Sequence, residues 1–299
     1  MLKPTKINRK IGAHVSAAGG IDKAIVRVSE IGGNCLQLFS GSPRVWAKKS
    51  LEEHPVDKFD SNRKKYNVSP IFTHALYLVN LASDKEENIR KSFASLKYEL
   101  EFDSLIKGSG IIVHLGSHQG RGWDDSREQI VGHIDQLLSE TPDDSTFLIE
   151  NSAGQNGKIA SNLEEIRWLF DELEKRNKWV SKGRLAWCFD TCHAFATGYR
   201  LGDPAKIAKD EKSAIKAISD LKLWETLKVI HVNDSKDPFG SGRDRHDNIG
   251  DGTIPAHELK FFLNYEKLTG IPLILEVPGI DKKGPDKENV ERVKTLIKN

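Results

Sequence analysis

Pro70-Ile-Phe-Thr-His74 and Gly110-Ile-Ile-Val-His114 are short apolar runs that each close on a histidine. The same construction returns in Phe147-Leu-Ile-Glu150, Leu185-Ala-Trp-Cys-Phe-Asp190, Val229-Ile-His231 and Pro272-Leu-Ile-Leu-Glu276, at intervals of about 40 residues. A continuous apolar run of this length is the pattern of a strand buried on both faces, as in a parallel sheet. A ligand-type residue at the carboxyl end of such a strand is where an α/β barrel gathers its chemistry.

Two further runs, Ile11-Gly-Ala-His-Val-Ser16 and Asn34-Cys-Leu-Gln-Leu-Phe-Ser40, bring the number to eight. Helical periodicity fills the intervals. In residues 21–31, Ile21, Ala24, Ile25, Val28 and Ile31 share one helical face, and Gly32-Gly33 ends the helix. Residues 86–107 repeat the pattern with Ile89, Phe93, Leu96 and Leu100. Ser161-Asn-Leu-Glu164 reads as a capping box ahead of Ile166, Leu169, Phe170 and Leu173, and residues 125–140, 204–221, 254–268 and 287–298 supply the other helices. Eight strands alternating with helices predict an α/β protein of the (β/α)8 TIM-barrel type, with residues 1–299 as one domain.

Composition narrows the function. Hydrophobic residues make up 38% and charged residues 29%, which supports a substantial core and argues against disorder. No apolar run approaches the roughly 20 residues that cross a bilayer, and the basic residues 1–10 lack the apolar stretch of a secretory signal. Cys35, Cys188 and Cys192 form no C-x-x-C pair and are expected as buried thiols. An intracellular, cytoplasmic protein without membrane attachment is expected. A net charge of +2 lacks the basic excess of most nucleic-acid binders, but bound cations would supply the missing positive field.

His74, His114, Glu150, Asp190, His231 and Glu276 close the runs, and His193, Asp244 and His246 join them from the loops that follow. Asp190-Thr-Cys-His193 keeps two ligands close as the chain leaves the sixth run, and the period of two in Asp244-Arg-His246 turns both toward one side. Any one of these residues alone is more often a hydrogen-bonded core or capping group. Six consecutive strand ends are another matter, because burying so many ionisable groups without metal or mutual pairing is costly. Nine ligands exceed the needs of one zinc and suit two or three ions, the arrangement used to hydrolyse phosphate esters. His14 and His118, near strand ends, are candidates for orienting ligands, whereas His54, His133 and His257 are expected in solvent.

Residues 11–20, 148–155, 189–198 and 231–236, together with Asp244-Arg-His246, resemble the endonuclease IV family of apurinic/apyrimidinic endonucleases, in the family's order and from about Ile11 to the end of the chain. The resemblance implies a xylose-isomerase-like barrel carrying three zinc ions. His74, His114 and Glu150 would hold one; Glu150 would bridge to a second held by Asp190, His231 and Glu276; His193, Asp244 and His246 would hold the third. It further implies hydrolysis of the phosphodiester 5′ to an abasic site in double-stranded DNA, leaving a 3′-hydroxyl and a 5′-deoxyribose phosphate, with trimming of 3′ ends. Glu150 would also orient the nucleophile, and a monomer is expected. Arg44 and the pair Tyr77-Leu78 match positions that insert into DNA bent around a flipped abasic nucleotide.

The chain departs from the family at Gly41-Ser42, where a Lys-Asn pair is usual, at Leu115 in place of Pro, and at Asp251 in place of Glu. None of these removes a ligand. Two alternatives use related parts: a sugar isomerase or epimerase on a similar barrel, which needs only one or two metals, and a zinc-dependent DNA-binding protein without catalysis. The extra ligands His74, His114, Asp244 and His246, with the Arg44 and Tyr77-Leu78 loops, favour the nuclease over the first, and intact ligands with open coordination positions favour turnover over the second.

Overall fold

The computed structural model describes residues 9–297, and among them eight parallel strands close into a barrel. They are β1 (Ile11–His14), β2 (Cys35–Leu38), β3 (Ile71–His74), β4 (Ile111–Val113), β5 (Phe147–Glu150), β6 (Leu185–Asp190), β7 (Leu227–His231) and β8 (Leu273–Leu275). Each pairs with its sequence neighbours, and β8 returns to β1 with Ile11 opposite Leu273. The first eight residues and the last two, to which the predicted domain and the final helix extend, lie outside the described residues.

The alternation of side chains along a strand sorts these residues into two environments. Leu36, Ile111, Ile149, Trp187, Ile230 and Leu275 face outward into the main core beneath the helices. Cys35, Phe72, Ile112, Leu148, Ala186, Cys188, Val229 and Ile274 face inward and form a separate apolar plug inside the barrel. Gly12 sits where β1 crosses this plug, and a Cβ there would lie 1.8 Å from the Cys35 carbonyl oxygen. Only glycine lets the two backbones approach so closely.

The helices are α1 (Ile21–Glu30), α2 (Val56–Tyr66), α3 (Glu86–Leu105), α4 (Trp123–Ser139), α5 (Leu163–Asn177), α6 (Thr191–Ala196), α7 (Ala214–Asp220), α8 (Ala256–Leu263) and α9 (Lys287–Leu296). Three expectations need correction. The stretch 204–221 is not one helix. A 3-10 turn covers Pro204–Lys206, Lys212–Ser213 pairs with Tyr199–Arg200, and α7 begins only at Ala214, where the Ser213 hydroxyl accepts the Lys216 N–H at 3.2 Å. The Ser161-to-Glu164 capping box does not form, because Asn162 occupies the cap and Glu165 reaches back to the Ala160 N–H at 2.7 Å. The stretch 254–268 breaks after Leu263 into α8 and a 3-10 turn at Glu266–Leu268.

The end of the barrel at which the strands begin is held by two buried charged residues. Arg184 directs Nε to the Ser145 carbonyl at 2.6 Å, Nη1 to the Leu138 carbonyl at 3.2 Å and Nη2 to the Thr141 hydroxyl at 3.0 Å. Asp103, at the end of α3, accepts the Gly110 N–H at 3.2 Å and the Ser145 hydroxyl at 3.3 Å, so the entries to β4, β5 and β6 share one polar junction. Burial raises the Asp103 carboxyl to about 7, against the Gly110 and Ser145 hydrogen bonds that lower it.

A carboxyl whose folded-state value is raised binds a proton more tightly in the native than in the unfolded protein. Its contribution is complete below about pH 4, the unfolded value, and is lost as pH rises through the folded value of about 7. Asp103→Asn therefore removes a pH-dependent loss of stability that reaches at most about 1 kcal/mol per pH unit in that window. Denaturant unfolding of both proteins from pH 4 to pH 8 checks it, and equal slopes would refute the assignment.

Candidate metal centre

One step beyond the apolar plug, the inward positions become polar. His14, Gln37, His74, Glu150, Asp190 and His231 end their strands there or one residue short of it, while His114 and Glu276 follow the last residues of β4 and β8. The ring therefore stands directly on a dry layer. Glu150, Asp190 and His231 are fully buried, and His74 is 3% exposed. Where the sixth strand ends, Asp190 caps α6 by accepting the His193 N–H at 2.8 Å, which turns the His193 imidazole into the same space. Asp234–Ser235 and His246–Asp247 pair as a two-stranded antiparallel ribbon in the long polar loop, which brings Asp244 and His246 over the barrel mouth.

All nine predicted ligands converge. Glu150 Oε2 lies 3.2 Å from both His74 Nε2 and His114 Nε2, while Oε1 lies 2.9 Å from His231 Nδ1. His231 Nδ1 is also 3.1 Å from Glu276 Oε2 and 3.8 Å from Asp190 Oδ2. Asp244 Oδ1 is 3.0 Å from His193 Nε2 and 3.5 Å from His246 Nε2. Ligand atoms within 4.8 Å of one another form the groups His74–His114–Glu150 and Glu150–Asp190–His231–Glu276. The third expected set is looser: His193 and Asp244 group with His114, and His246 groups with Asp190 and Cys192. Cys192 is a buried free thiol, as the sequence predicts, and lies beside this group.

Hydrogen bonds fix which nitrogen of His74, His193 and His231 faces the centre. His74 Nδ1 donates to the Ala75 carbonyl at 2.8 Å and His193 Nδ1 to the Asn151 carbonyl at 2.8 Å, leaving Nε2 of each as the free nitrogen. His231 is reversed, since its Nε2 donates to Gln37 Oε1 at 2.7 Å and Nδ1 points at the carboxylates. His193 Nε2 and His246 Nε2 are buried and make no hydrogen bond among the described residues, although a carboxylate oxygen lies close to each. Imidazole nitrogens and carboxylate oxygens converging in this way are the donor set of a cation site.

Between the protein groups alone, these contacts act as ion pairs. Burial alone would raise Glu150, but His114, His231 and His74 hold it well below the usual carboxylate range. Burial likewise works against Glu276 and Asp244, which are held low by His231 and His14 and by His193 and His246 respectively. His193 is raised to about 10 by Asp190 and Asp244 in spite of its burial, whereas burial lowers His114 to about 4. The carboxylates stay ionised because the raised imidazoles, His193 and His231 among them, supply positive charge beside them.

Several residues that support the centre carry no signal in the sequence. Gln37 donates Nε2 to Glu276 Oε1 at 2.6 Å while accepting from His231. Asn233 donates to Asp190 Oδ2 at 2.7 Å and accepts the Glu276 N–H at 2.9 Å, and Asn151 bonds both backbone groups of Asp190. Lys158 Nζ lies 3.4 Å from Asp244 Oδ2. Of the two other candidate histidines, His14 reaches the centre, with Nδ1 3.0 Å from Glu276 Oε1. His118 does not, because its Nδ1 accepts the Gly120 and Gly122 N–H groups and organises a loop. His54 is a correction too: it is 8% exposed and bonded to the Tyr98 hydroxyl at 2.8 Å.

The centre opens into a cavity of about 570 Å³ bounded by Phe39, Tyr77, Pro278 and Lys282. Phe39 packs on His14, His74 and Tyr77 with ring centres 4.3, 5.5 and 5.4 Å apart. At its rim Tyr77 is 61% and Leu78 39% exposed, and Arg44 is exposed on the neighbouring loop. The Tyr77 N–H bonds the Pro43 carbonyl at 3.3 Å, which ties the two loops side by side.

Residues 25–298 match the family of xylose isomerase-like TIM barrels. A protein of Haloquadratum walsbyi named probable endonuclease 4 is 33% identical, with 97% of this chain and 99% of the relative aligned. The crystal structure of endonuclease IV from Thermus thermophilus superposes with a TM-score of 0.80 at 30% identity, covering 96% of this chain and 98% of that one. The 3-keto-D-glucoside 4-epimerase of E. coli, at 15% identity and a TM-score of 0.65 over 97% of this chain and 99% of that one, shares the fold alone.

Hydrogen-bonded partners of metal ligands typically govern affinity by about 10- to 100-fold. Gln37→Ala and Asn233→Ala are accordingly expected to lose bound metal at lower chelator concentration than the parent protein while unfolding at a similar denaturant midpoint in the metal-free state. Metal analysis after graded chelation checks this, and unchanged retention in both variants would count against the arrangement.

Proposed function

The chain belongs to the endonuclease IV family, hydrolytic DNA-repair nucleases on a xylose isomerase-like barrel, and from that premise we propose that it is a zinc-dependent enzyme that cuts duplex DNA on the 5′ side of abasic sites. The observation that carries the reading is the division of Glu150. Its two oxygens face different ligand groups, His74 and His114 on one side and His231 on the other, as a carboxylate shared between two ions would. One zinc would be held by His74, His114 and Glu150, a second by Glu150, Asp190, His231 and Glu276, and a third by His193, Asp244 and His246. Bound zinc would acidify water and neutralise phosphodiester oxygens.

The protein's own residues supply position and selection. Gln37, Asn151 and Asn233 hold the ligands in orientation, and Glu150, buried and ionised, aligns the attacking water with the scissile phosphate. Phe39 and Tyr77 wall the cavity on the side from which a flipped sugar would enter. Arg44, Tyr77 and Leu78 are proposed to fill the gap left in the duplex, where a cation and two exposed apolar groups stand together at the rim. On this reading the products are a 3′-hydroxyl and a 5′-deoxyribose phosphate, blocked 3′ ends are trimmed at the same site, and the enzyme acts as an intracellular monomer. Among the described residues no helix is long and apolar enough to cross a membrane.

The test is a labelled duplex bearing one abasic site. Metal-replete protein is expected to nick it 5′ to the lesion and leave an end that a polymerase extends. Glu150→Gln should lower the rate by at least about 100-fold, the scale for losing a preorganised charge. An intact abasic duplex after incubation with protein of verified zinc content would sink the proposal.

A further inference from the structure

Among the described residues, only one pairing of Lys or Arg with a carboxylate has both side chains at 10% exposure or less: Lys48 with Glu99. Glu99 lies on α3 and is fully buried, with Oε1 accepting from Lys48 Nζ and, at 2.9 Å, from the Ser40 hydroxyl. Lys48 Nζ also donates to Ser40 Oγ at 2.9 Å and lies 5.3 Å from the centre of the Tyr98 ring. Glu99 Oε2 has no hydrogen-bond partner among the described residues. Removing two charges from water is expensive, and an apolar replacement of the same volume is commonly as stable or more so. Stability is therefore a poor explanation for the cluster.

Its position offers a better one. Ser40 and Lys48 both belong to residues 39–55, the segment between β2 and α2, whose one regular element is the 3-10 turn Leu51–Glu53. That segment holds exposed Arg44 beside Pro43, whose carbonyl accepts the N–H of Tyr77 at the cavity rim. On one side a second cavity of about 860 Å³ separates part of it from residues 14–21. Pro43 ties it to the Tyr77 loop and Trp46 and Leu51 pack on the main core, while its polar side-chain attachments are to α3. His54 bonds the Tyr98 hydroxyl and stacks edge-on against Phe102 at 4.8 Å, while Ser40 and Lys48 converge on Glu99. Contacts at residues 40, 48 and 54 thus bracket the stretch that holds Arg44. An ion pair is directional where apolar packing is not, and directionality is what an irregular segment beside a cavity lacks.

We propose that the buried Lys48–Glu99–Ser40 cluster is a positioning device that fixes the segment bearing Arg44 at the rim of the metal centre, and so sets how well the enzyme engages abasic duplex. The inference rests on the proposed nuclease reading but concerns different residues from those that hold metal. Lys48 and Glu99 do not touch substrate. They act through the loop.

The experiment uses the full-length, metal-replete protein and three variants: Ser40→Ala, Lys48→Met, and the double variant Lys48→Met with Glu99→Leu. The double variant replaces the ion pair by apolar groups and is expected to unfold at or above the parent's midpoint. Its KM for abasic duplex should nevertheless rise about 10-fold, the order expected when a binding element shifts slightly, while zinc content and hydrolysis of the small diester bis(4-nitrophenyl) phosphate stay at the parent's level. Ser40→Ala, the mildest change, should raise KM in the same direction by less. A KM within twofold of the parent in the double variant and in Ser40→Ala would overturn the inference. So would a loss of small-diester hydrolysis in step with DNA cleavage, since that places the damage at the metal centre. If the parent itself leaves abasic duplex intact, the nuclease reading fails instead, and the two failures are distinguishable.

Discussion

A carboxylate with no exposure to water stays ionised only if positive charge surrounds it, and the arrangement at Glu150 follows from that constraint. Three imidazoles lie within 3.2 Å of its two oxygens. Two of those rings, His74 and His231, are oriented in turn by a backbone carbonyl and by Gln37, so the requirement spreads outward from one residue to neighbouring strand ends. The apolar plug of Phe72, Ile112, Leu148 and Val229 immediately below denies water to the ring from inside the barrel. Low polarity beneath and ligands above make the same charges interact more strongly than they would in solvent.

The two ends of the barrel answer different demands. At the end where the strands begin, Arg184 and Asp103 meet at Ser145 and satisfy carbonyls and N–H groups that the loops would otherwise leave bare. At the opposite end polar groups are left facing one another without hydrogen bonds, as with His193 and His246 beside Asp244. A polar network completed by the protein stabilises; one left open to a cation binds. The contrast is a physical basis for placing the reaction at one end.

Much of this was legible from residue order. A strand's period of two makes the ligand at its end face the same side as the apolar residue two positions earlier, which is why Phe72 and His74, or Leu148 and Glu150, could be read together. The barrel and the convergence of the nine candidate ligands followed. Gln37, Asn151 and Asn233 were not legible, because a short polar side chain acquires its role only from partners on other strands. Lys48 and Glu99 are invisible for the same reason, being brought together by a helix packing across a loop. The stretch 204–221 misled because its apolar spacing suits a helix, while Lys212–Ser213 is claimed by pairing with Tyr199–Arg200 and by the Arg200–Glu211 contact at 2.7 Å.

Charge also explains why so neutral a chain can act on DNA. Of the residues lining the cavity above the centre, Lys282 alone is a lysine or arginine, and Asp244 and Glu276 present carboxylates to the same space. A phosphodiester approaching such a wall without cations would meet little net attraction, however the imidazoles titrate. On the proposed reading the attraction comes from the ions themselves, concentrated at the reacting phosphate rather than spread over the surface as lysine and arginine. A net charge of +2 is then sufficient. On the same reading Arg44 and its neighbours at the rim would have a narrower task than electrostatic capture, arriving at one place on a bent duplex, and the ion pair proposed to position their loop is suited to keeping them there.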